Sequence, residues 1–178
     1  MPARLILGID PGSIATGWGV LSCEGSRLKA VSCGVIRPKE KVFNRRLLEI
    51  HESLTKIIAA HSPAEAAVES LFFQKNAQSA LKLGHVRGVA VLACLQGGLA
   101  VREYAPAEVK QALTGHGRAE KKQVARMIQI LLGLPKPPPS DAADALAVAV
   151  THAHAGPAVL RERPKGRAFG LAIRRPWR

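Results

Sequence analysis

Residues 4–36, RLILGIDPGSIATGWGVLSCEGSRLKAVSCGVI, carry the reading that decides the fold. Leu5, Ile6, Leu7 and Ile9 around Gly8 read as a short buried strand over 4–10, and Pro11-Gly12-Ser13 is turn chemistry. Thr16 to Cys23 and Leu28 to Ile36 are two further strand-like runs, separated only by Glu24-Gly25-Ser26. Connections this short favour antiparallel neighbours, so the chain opens with a three-stranded meander.

Beyond residue 40 the period changes. Leu47, Ile50, Leu54, Ile57 and Ile58 recur at spacings of three and four, which predicts a helix over 43–61 that ends at Ser62-Pro63. Ala66-Ala67-Val68 reads as a short buried strand leading to Glu69. A second helix is predicted over 76–96, closed by Gly97-Gly98, and Leu99 to Tyr104 is a fifth strand. Helical patterns follow at 106–114 and 119–133. Lys136-Pro-Pro-Pro139 is a stiff connector, and Ser140 is a good N-cap for a last helix over 141–155. Strands separated by helices pair in parallel through right-handed crossovers. The expected fold is therefore α/β: a five-stranded mixed sheet, its first three strands antiparallel, flanked by helices.

The 178 residues fit one domain with a sizeable core, and a hydrophobic content of 47% argues against disorder. No apolar run is long enough to span a membrane, and no basic segment followed by a long apolar one suggests export. Cys23, Cys33 and Cys94 are odd in number and lack CxxC spacing; they read as reduced, packed thiols, and the expected compartment is the cytoplasm or nucleoid. The net charge of +13 calls for a polyanionic partner. Residues 157–178 hold seven Arg or Lys against Glu162, with three prolines and two glycines and no clear period. They read as a basic C-terminal tail appended to a domain over 1–156. Two uses fit that tail: non-specific phosphate binding, or solubility alone.

Within this basic chain four acidic residues stand where a phosphate-cutting site would want them: Asp10 in LILGIDPG, Glu69 in AAVES, and Asp141 and Asp144 in SDAADALA. Each alone has an ordinary reading. Asp10 before Pro-Gly suits a turn, and Asp141 suits a helix N-terminus. Glu69 is harder to explain that way, because it directly follows a buried apolar run. In the expected sheet, Asp10 and Glu69 end neighbouring parallel strands, while Asp141 and Asp144 share one face of a helix start. If that helix packs across the open edge, four hard oxygen ligands converge without His or Cys. Such a set suits Mg²⁺ or Mn²⁺ and not zinc, and two ions would serve an in-line phosphodiester displacement.

The stretches GIDPGSIATGWGV (8–20), VESLFFQKNAQSALKLGHVRGVA (68–90), VKQALTGHGRAEKKQV (109–124) and DAADALAVAVTHAH (141–154) resemble the RuvC family of Holliday-junction resolvases, within the ribonuclease H-like superfamily. The resemblance spans about residues 4–155. It implies a ribonuclease H-like fold in which Asp10, Glu69, Asp141 and Asp144 are catalytic and hold Mg²⁺, with Mn²⁺ substituting and two ions per site. It implies a base-stacking role for Phe72, with Phe73 a second candidate, and DNA handling by Lys110 and Lys121. It further implies a homodimer built on the segment 75–90, paired symmetric nicks in four-way DNA junctions leaving 5′-phosphate and 3′-hydroxyl ends, and work downstream of the RuvA–RuvB branch-migration complex. Some relatives place His where Asp141 stands, and the tail beyond 156 is longer and more basic than the family pattern.

Lys75, Arg118 and Lys122 are further candidates for DNA contacts, while Lys82 and Arg87 line the second helix and suit either DNA or a dimer partner. The glycines at 12, 17 and 19 do not match a phosphate-binding GxxxxGK[ST] loop. His152 and His154 are two apart on a helix and do not face together. Two rival functions share these features: a same-fold nuclease acting on RNA or RNA–DNA hybrids, and a catalytically silent basic DNA-binding protein. An actin-like ATPase would need two lobes, for which 178 residues are too few.

Overall fold

A computed structural model describes residues 3–70 and 76–156; Phe72, Phe73, Lys75 and the tail 157–178 lie outside the described residues. The elements run β1 (Arg4–Asp10), β2 (Thr16–Glu24), β3 (Arg27–Ile36), α1 (Phe43–His61), β4 (Glu65–Glu69), α2 (Ala77–Gln96), β5 (Ala100–Tyr104), α3 (Pro106–Thr114), α4 (Lys121–Leu131) and α5 (Ser140–Ala155). One sheet holds all five strands in the order β3-β2-β1-β4-β5. The meander β1-β2-β3 is antiparallel, and β4 and β5 add in parallel beside β1.

The pleat of β1 sorts its side chains between two cores. Leu7 and Ile9 point to the face covered by α1 and α2, where Ile50, Leu54, Ile58, Val86 and Ala90 meet them. Ile6 points to the opposite face, where Leu146, Val150, Val109, Val124 and Ile128 of α5, α3 and α4 close the second core. Period-two alternation in the strand and period-four spacing in α1 meet in this way, and each fully buried Leu or Ile contributes about 1.5–3 kcal/mol.

Helix α5 departs from the amphipathic pattern of α1. Residues Ala145 to His152 are buried on every side, because the helix is wedged between the sheet and the α3–α4 layer. Its seat on the sheet is glycine. A methyl group at Gly17 would overlap the carbonyl oxygen of Asp141, and one at Gly8 would overlap that of Ala145. The glycines thus let the helix backbone rest directly on β1 and β2.

Several expectations are corrected at element ends. Ser140 is the first residue of α5, not its cap; Pro139 occupies the cap position and offers no side-chain bond. Helix α4 is shorter than 119–133, because Glu120 and Gln123 form a capping box that starts it at Lys121. The guanidinium of Arg87, partly exposed, pairs with Glu103 of β5. Lys82 lies over the Phe43 ring, 6.0 Å from its centre.

A buried polar chain ties four elements, running from Tyr104 at the end of β5 to Glu65 and Arg4 at the starts of β4 and β1. Tyr104 Oη lies 2.8 Å from His152 Nδ1, His152 Nε2 lies 2.9 Å from Glu65 Oε2, and Arg4 Nη1 stands 3.3 Å from the same carboxylate oxygen. Burial lowers the His152 pKa from its ordinary value, so the ring is neutral: it accepts from the tyrosine hydroxyl and donates to the carboxylate.

Candidate active site

Two strand ends and one helix start build the site. Ile9 pairs with Val68 in the parallel β1–β4 ladder, so Asp10 and Glu69 follow one residue later at the same sheet edge. The turn after Asp10 is pinned: Thr16 Oγ1 donates to the Gly12 carbonyl at 2.8 Å and accepts from the Gly12 N–H at 3.2 Å. The glycine seat brings α5 over this edge, and Asp144 completes the group.

Asp10, Glu69 and Asp144 line one cleft of about 260 Å³, with Lys110 and Lys121 as its cations and Pro106, Val109, Val124 and Ala147 as apolar walls. The apolar walls set the electrostatics. Burial, then the neighbouring Glu69 and Asp144, push the Asp10 carboxyl up to about 8. Burial raises Glu69 as well, against the hydrogen bond it shares with Asp10 and the pull of Lys121 and Lys110. The proton therefore belongs to Asp10, which donates to Glu69. Lys121 Nζ lies 3.0 Å from Asp144 Oδ2, and this contact raises the Lys121 pKa and keeps it charged.

Three of the four candidate carboxylates thus meet. Asp141 does not line the cleft; its Oδ2 lies 3.6 Å from Arg37 Nη2, one turn earlier on α5. Lys122 sits outside the cleft as well, in a separate groove with His116 and Arg126 between α3 and α4. Arg118 is exposed in the connection before α4. Phe72, Phe73 and Lys75 fall outside the described residues. Arg37 is the residue that sequence reasoning overlooked. Its signal was present in the strand register: Ile36 pairs with Thr16, which puts the next residue at the edge where Asp10 ends.

The donor set suits a hard divalent cation. Three carboxylates share the cleft without His or Cys, and their mutual repulsion is offset by one proton and the Lys121 and Lys110 ammonium groups. Among the described residues no three His, Cys, Asp or Glu side chains close around a common point as a formed metal centre. The Lys121 ammonium pairs with Asp144, one of the carboxylates that would hold a cation.

A family model described as crossover junction endodeoxyribonuclease RuvC matches residues 6–152. The chain is 54% identical over 158 residues to the crossover junction endodeoxyribonuclease RuvC of Azorhizobium caulinodans, covering 88% of this chain and 94% of that relative. It is 51% identical over 154 residues to the protein of the same name from Bradyrhizobium diazoefficiens, covering 86% and 87%. Among solved structures, Thermus thermophilus RuvC in complex with a Holliday junction substrate superposes with a TM-score of 0.78 at 37% identity, over 84% of this chain and 93% of that one.

Proposed function

The chain belongs to the RuvC family of crossover junction endodeoxyribonucleases, and we propose that it resolves four-way DNA junctions at the cleft of Asp10, Glu69 and Asp144, with Asp141 as the fourth carboxylate. The observation that carries this assignment is the charge balance of the cleft. A protein of net charge +13 gathers three carboxylates in one apolar-walled pocket and sets Lys110 and Lys121 on its rim. A charged cluster of this kind costs stability, and a phosphoryl-transfer site repays that cost in function.

Family members depend on a metal; Mg²⁺ is the expected ion, with Mn²⁺ able to replace it and two ions per cleft. Asp10, Glu69, Asp144 and Asp141 would hold it. When bound, it supplies neutralisation of the attacked phosphate and a more acidic water. The protein's own groups do the rest. Lys110 and Lys121 draw the phosphodiester to the cleft rim, and Val109, Val124 and Ala147 keep bulk water from its wall. Asp10 and Glu69 share one proton in the cleft, and a divalent cation held there would favour their ionised form. The cut leaves a 5′-phosphate and a 3′-hydroxyl.

Two strands of like polarity require two clefts, hence a homodimer with two-fold symmetry to match the junction. Supporting this, Leu81, Leu92 and Leu95 are exposed at helical spacing on one side of α2. Phe72 and Phe73 follow Glu69 by three and four residues, close enough in sequence to stack on bases unpaired at the crossover, with Lys75 next to them. Arg118, Lys122 and the basic tail are assigned to phosphates of the junction arms. The RuvA–RuvB branch-migration complex is the expected partner, and the nucleoid the expected place of action. No helix among the described residues is long and apolar enough to cross a membrane.

The test is cleavage of an end-labelled four-way junction, a linear duplex and an RNA–DNA hybrid with Mg²⁺, Mn²⁺ or EDTA, beside Asp10→Asn. Paired metal-dependent nicks in the junction alone, lost in the variant, are expected. Normal cutting by Asp10→Asn would remove the cleft from the reaction, and preferential cutting of the hybrid would replace the substrate.

A further inference from the structure

Arg37 has no place among the functional residues read from sequence. It follows the last residue of β3 directly, and the Ile36–Thr16 pairing brings it to the sheet edge where Asp10 and the start of α5 lie. Its side chain is 64% exposed. Arg4, Arg46 and Arg87, by contrast, are committed to structure: Arg4 to Glu65, Arg46 to the Glu40 carbonyl, Arg87 to Glu103. Among the described residues the one ion pair of Arg37 is with Asp141, at 3.6 Å, a separation beyond hydrogen-bond length, while Glu49 and Glu52 line the same groove as Arg37 without pairing to it. An exposed pair held this loosely is readily exchanged for a better ligand.

The better ligand is a phosphate. A guanidinium fork matches two phosphate oxygens, while a single carboxylate oxygen at this distance satisfies neither N–H. The arrangement around α5 makes the same point. Asp144 is held from one side by Lys121 of α4, and Asp141 from the other by Arg37 at the end of β3. The two cations therefore flank the helix start. A DNA strand laid across the cleft passes both, and Lys121 and Lys110 serve only the α3–α4 side.

Resting on the assignment of the cleft as the junction-cutting site, we propose that Arg37 is a substrate contact: it binds a phosphate of the cut strand on the β3 side, and Asp141 holds it until DNA arrives. The exchange links substrate to site. When Arg37 turns to the phosphate, the Asp141 carboxylate loses its cation and is freed for the cleft.

The experiment measures equilibrium binding of a labelled four-way junction over a series of KCl concentrations in EDTA, with every variant carrying Asp10→Asn so that DNA stays intact. Arg37→Ala is expected to weaken binding and to lower the slope of log K against log salt by about 0.9, the signature of one lost phosphate contact. Arg37→Lys should keep the slope, which separates a lost charge from a damaged fold. Asp141→Asn should tighten binding, and the gain should vanish when Arg37→Ala is added. An unchanged slope in Arg37→Ala overturns the proposal, as does an Asp141→Asn gain that survives without Arg37. Cleavage by the Asp10→Asn protein alone is read separately: a normal rate there would sink the cleft assignment without touching the salt slopes.

Discussion

Asp10 and Glu69 stand side by side at the ends of two adjacent parallel strands, one residue beyond the paired Ile9 and Val68, and share a hydrogen bond. Parallel register makes this pairing unavoidable, and the apolar walls of the cleft make it costly. Two carboxylates in one buried pocket cannot both ionise cheaply, so one keeps its proton. The cleft therefore stores an electrostatic demand for positive charge, and much of its behaviour follows from how that demand is met.

Stability should depend on pH through Asp10. Its pKa is about 8 in the folded protein and near 3.8 in the unfolded chain. Between those values the unfolded chain has released the proton that the folded one retains, so stability falls as pH rises across the window. Below about 4 both forms are protonated, and above about 8 both are ionised and the loss is complete. In EDTA, Asp10→Asn should flatten this fall and be more stable than the wild type at pH 8.5, by on the order of 2 kcal/mol. Denaturant titrations at pH 5.5 and 8.5 check this; parallel pH trends in the two proteins would refute it.

Lys121 should set the pH at which the cleft becomes active. It holds Asp144 at 3.0 Å and lowers the proton affinity of both Asp10 and Glu69. Removing it raises both carboxyl pKa values, so ionisation then needs a higher pH. Lys121→Met is expected to slow single-turnover cleavage by on the order of a hundredfold at neutral pH and to move the acidic limb of the pH–rate profile upward. Lys121→Arg should keep the limb in place. A slower enzyme with an unmoved limb would mean that Lys121 acts on the DNA alone.

The sequence made the sheet legible because its signals were local: alternation in 4–36, period-four spacing in α1, and the short apolar runs 66–68 and 99–101. The cleft was legible for the same reason, since strand ends and strand order alone place Asp10 beside Glu69. What was hidden depended on packing. That Asp144 enters the cleft while Asp141 turns to Arg37 follows from the rotation of α5 on its glycine seat, which no spacing rule fixes. The Arg87–Glu103 pair was hidden too, because the strand facing α2 supplies an acid that the helix sequence does not reveal.

The glycine seat yields a third prediction. A methyl group at Gly17 would meet the carbonyl oxygen of Asp141, backbone against backbone, with no flexible side chain to yield. Gly17→Ala must then lift the start of α5, whose first turn carries Asp141 and whose second carries Asp144. Overpacking of this kind costs about 1–3 kcal/mol. Cleavage should fall far more than the folded fraction does, and more metal should be needed for half-maximal rate, while junction binding by the folded protein persists. A variant that melts earlier but cuts at the wild-type rate and metal concentration would show that the seat serves stability only.

His152 gives the converse case, in which stability should suffer and chemistry should not. It lies eight residues beyond Asp144 on α5, about 12 Å along the helix axis, and is fully buried between Tyr104 and Glu65. Its neutral ring is what satisfies both partners. Replacing it by leucine leaves the tyrosine hydroxyl without an acceptor and takes a donor from a buried carboxylate that then keeps only Arg4, a loss of about 3–5 kcal/mol. The pH dependence has a definite sign. Because burial lowers the folded pKa below the ordinary 6.5, the unfolded chain gains a proton first as pH drops below 6.5, and the folded state loses stability there until its own, lower pKa is reached. His152→Gln, which retains a donor and an acceptor, should show less of this acid-side decline. Melting temperatures between pH 7.5 and 5 test that difference, and cleavage per folded molecule at low temperature should stay close to wild type in both variants. A large drop in that rate would mean that the Tyr104–His152–Glu65 chain reaches the cleft through α5, and that the two ends of the helix are not independent.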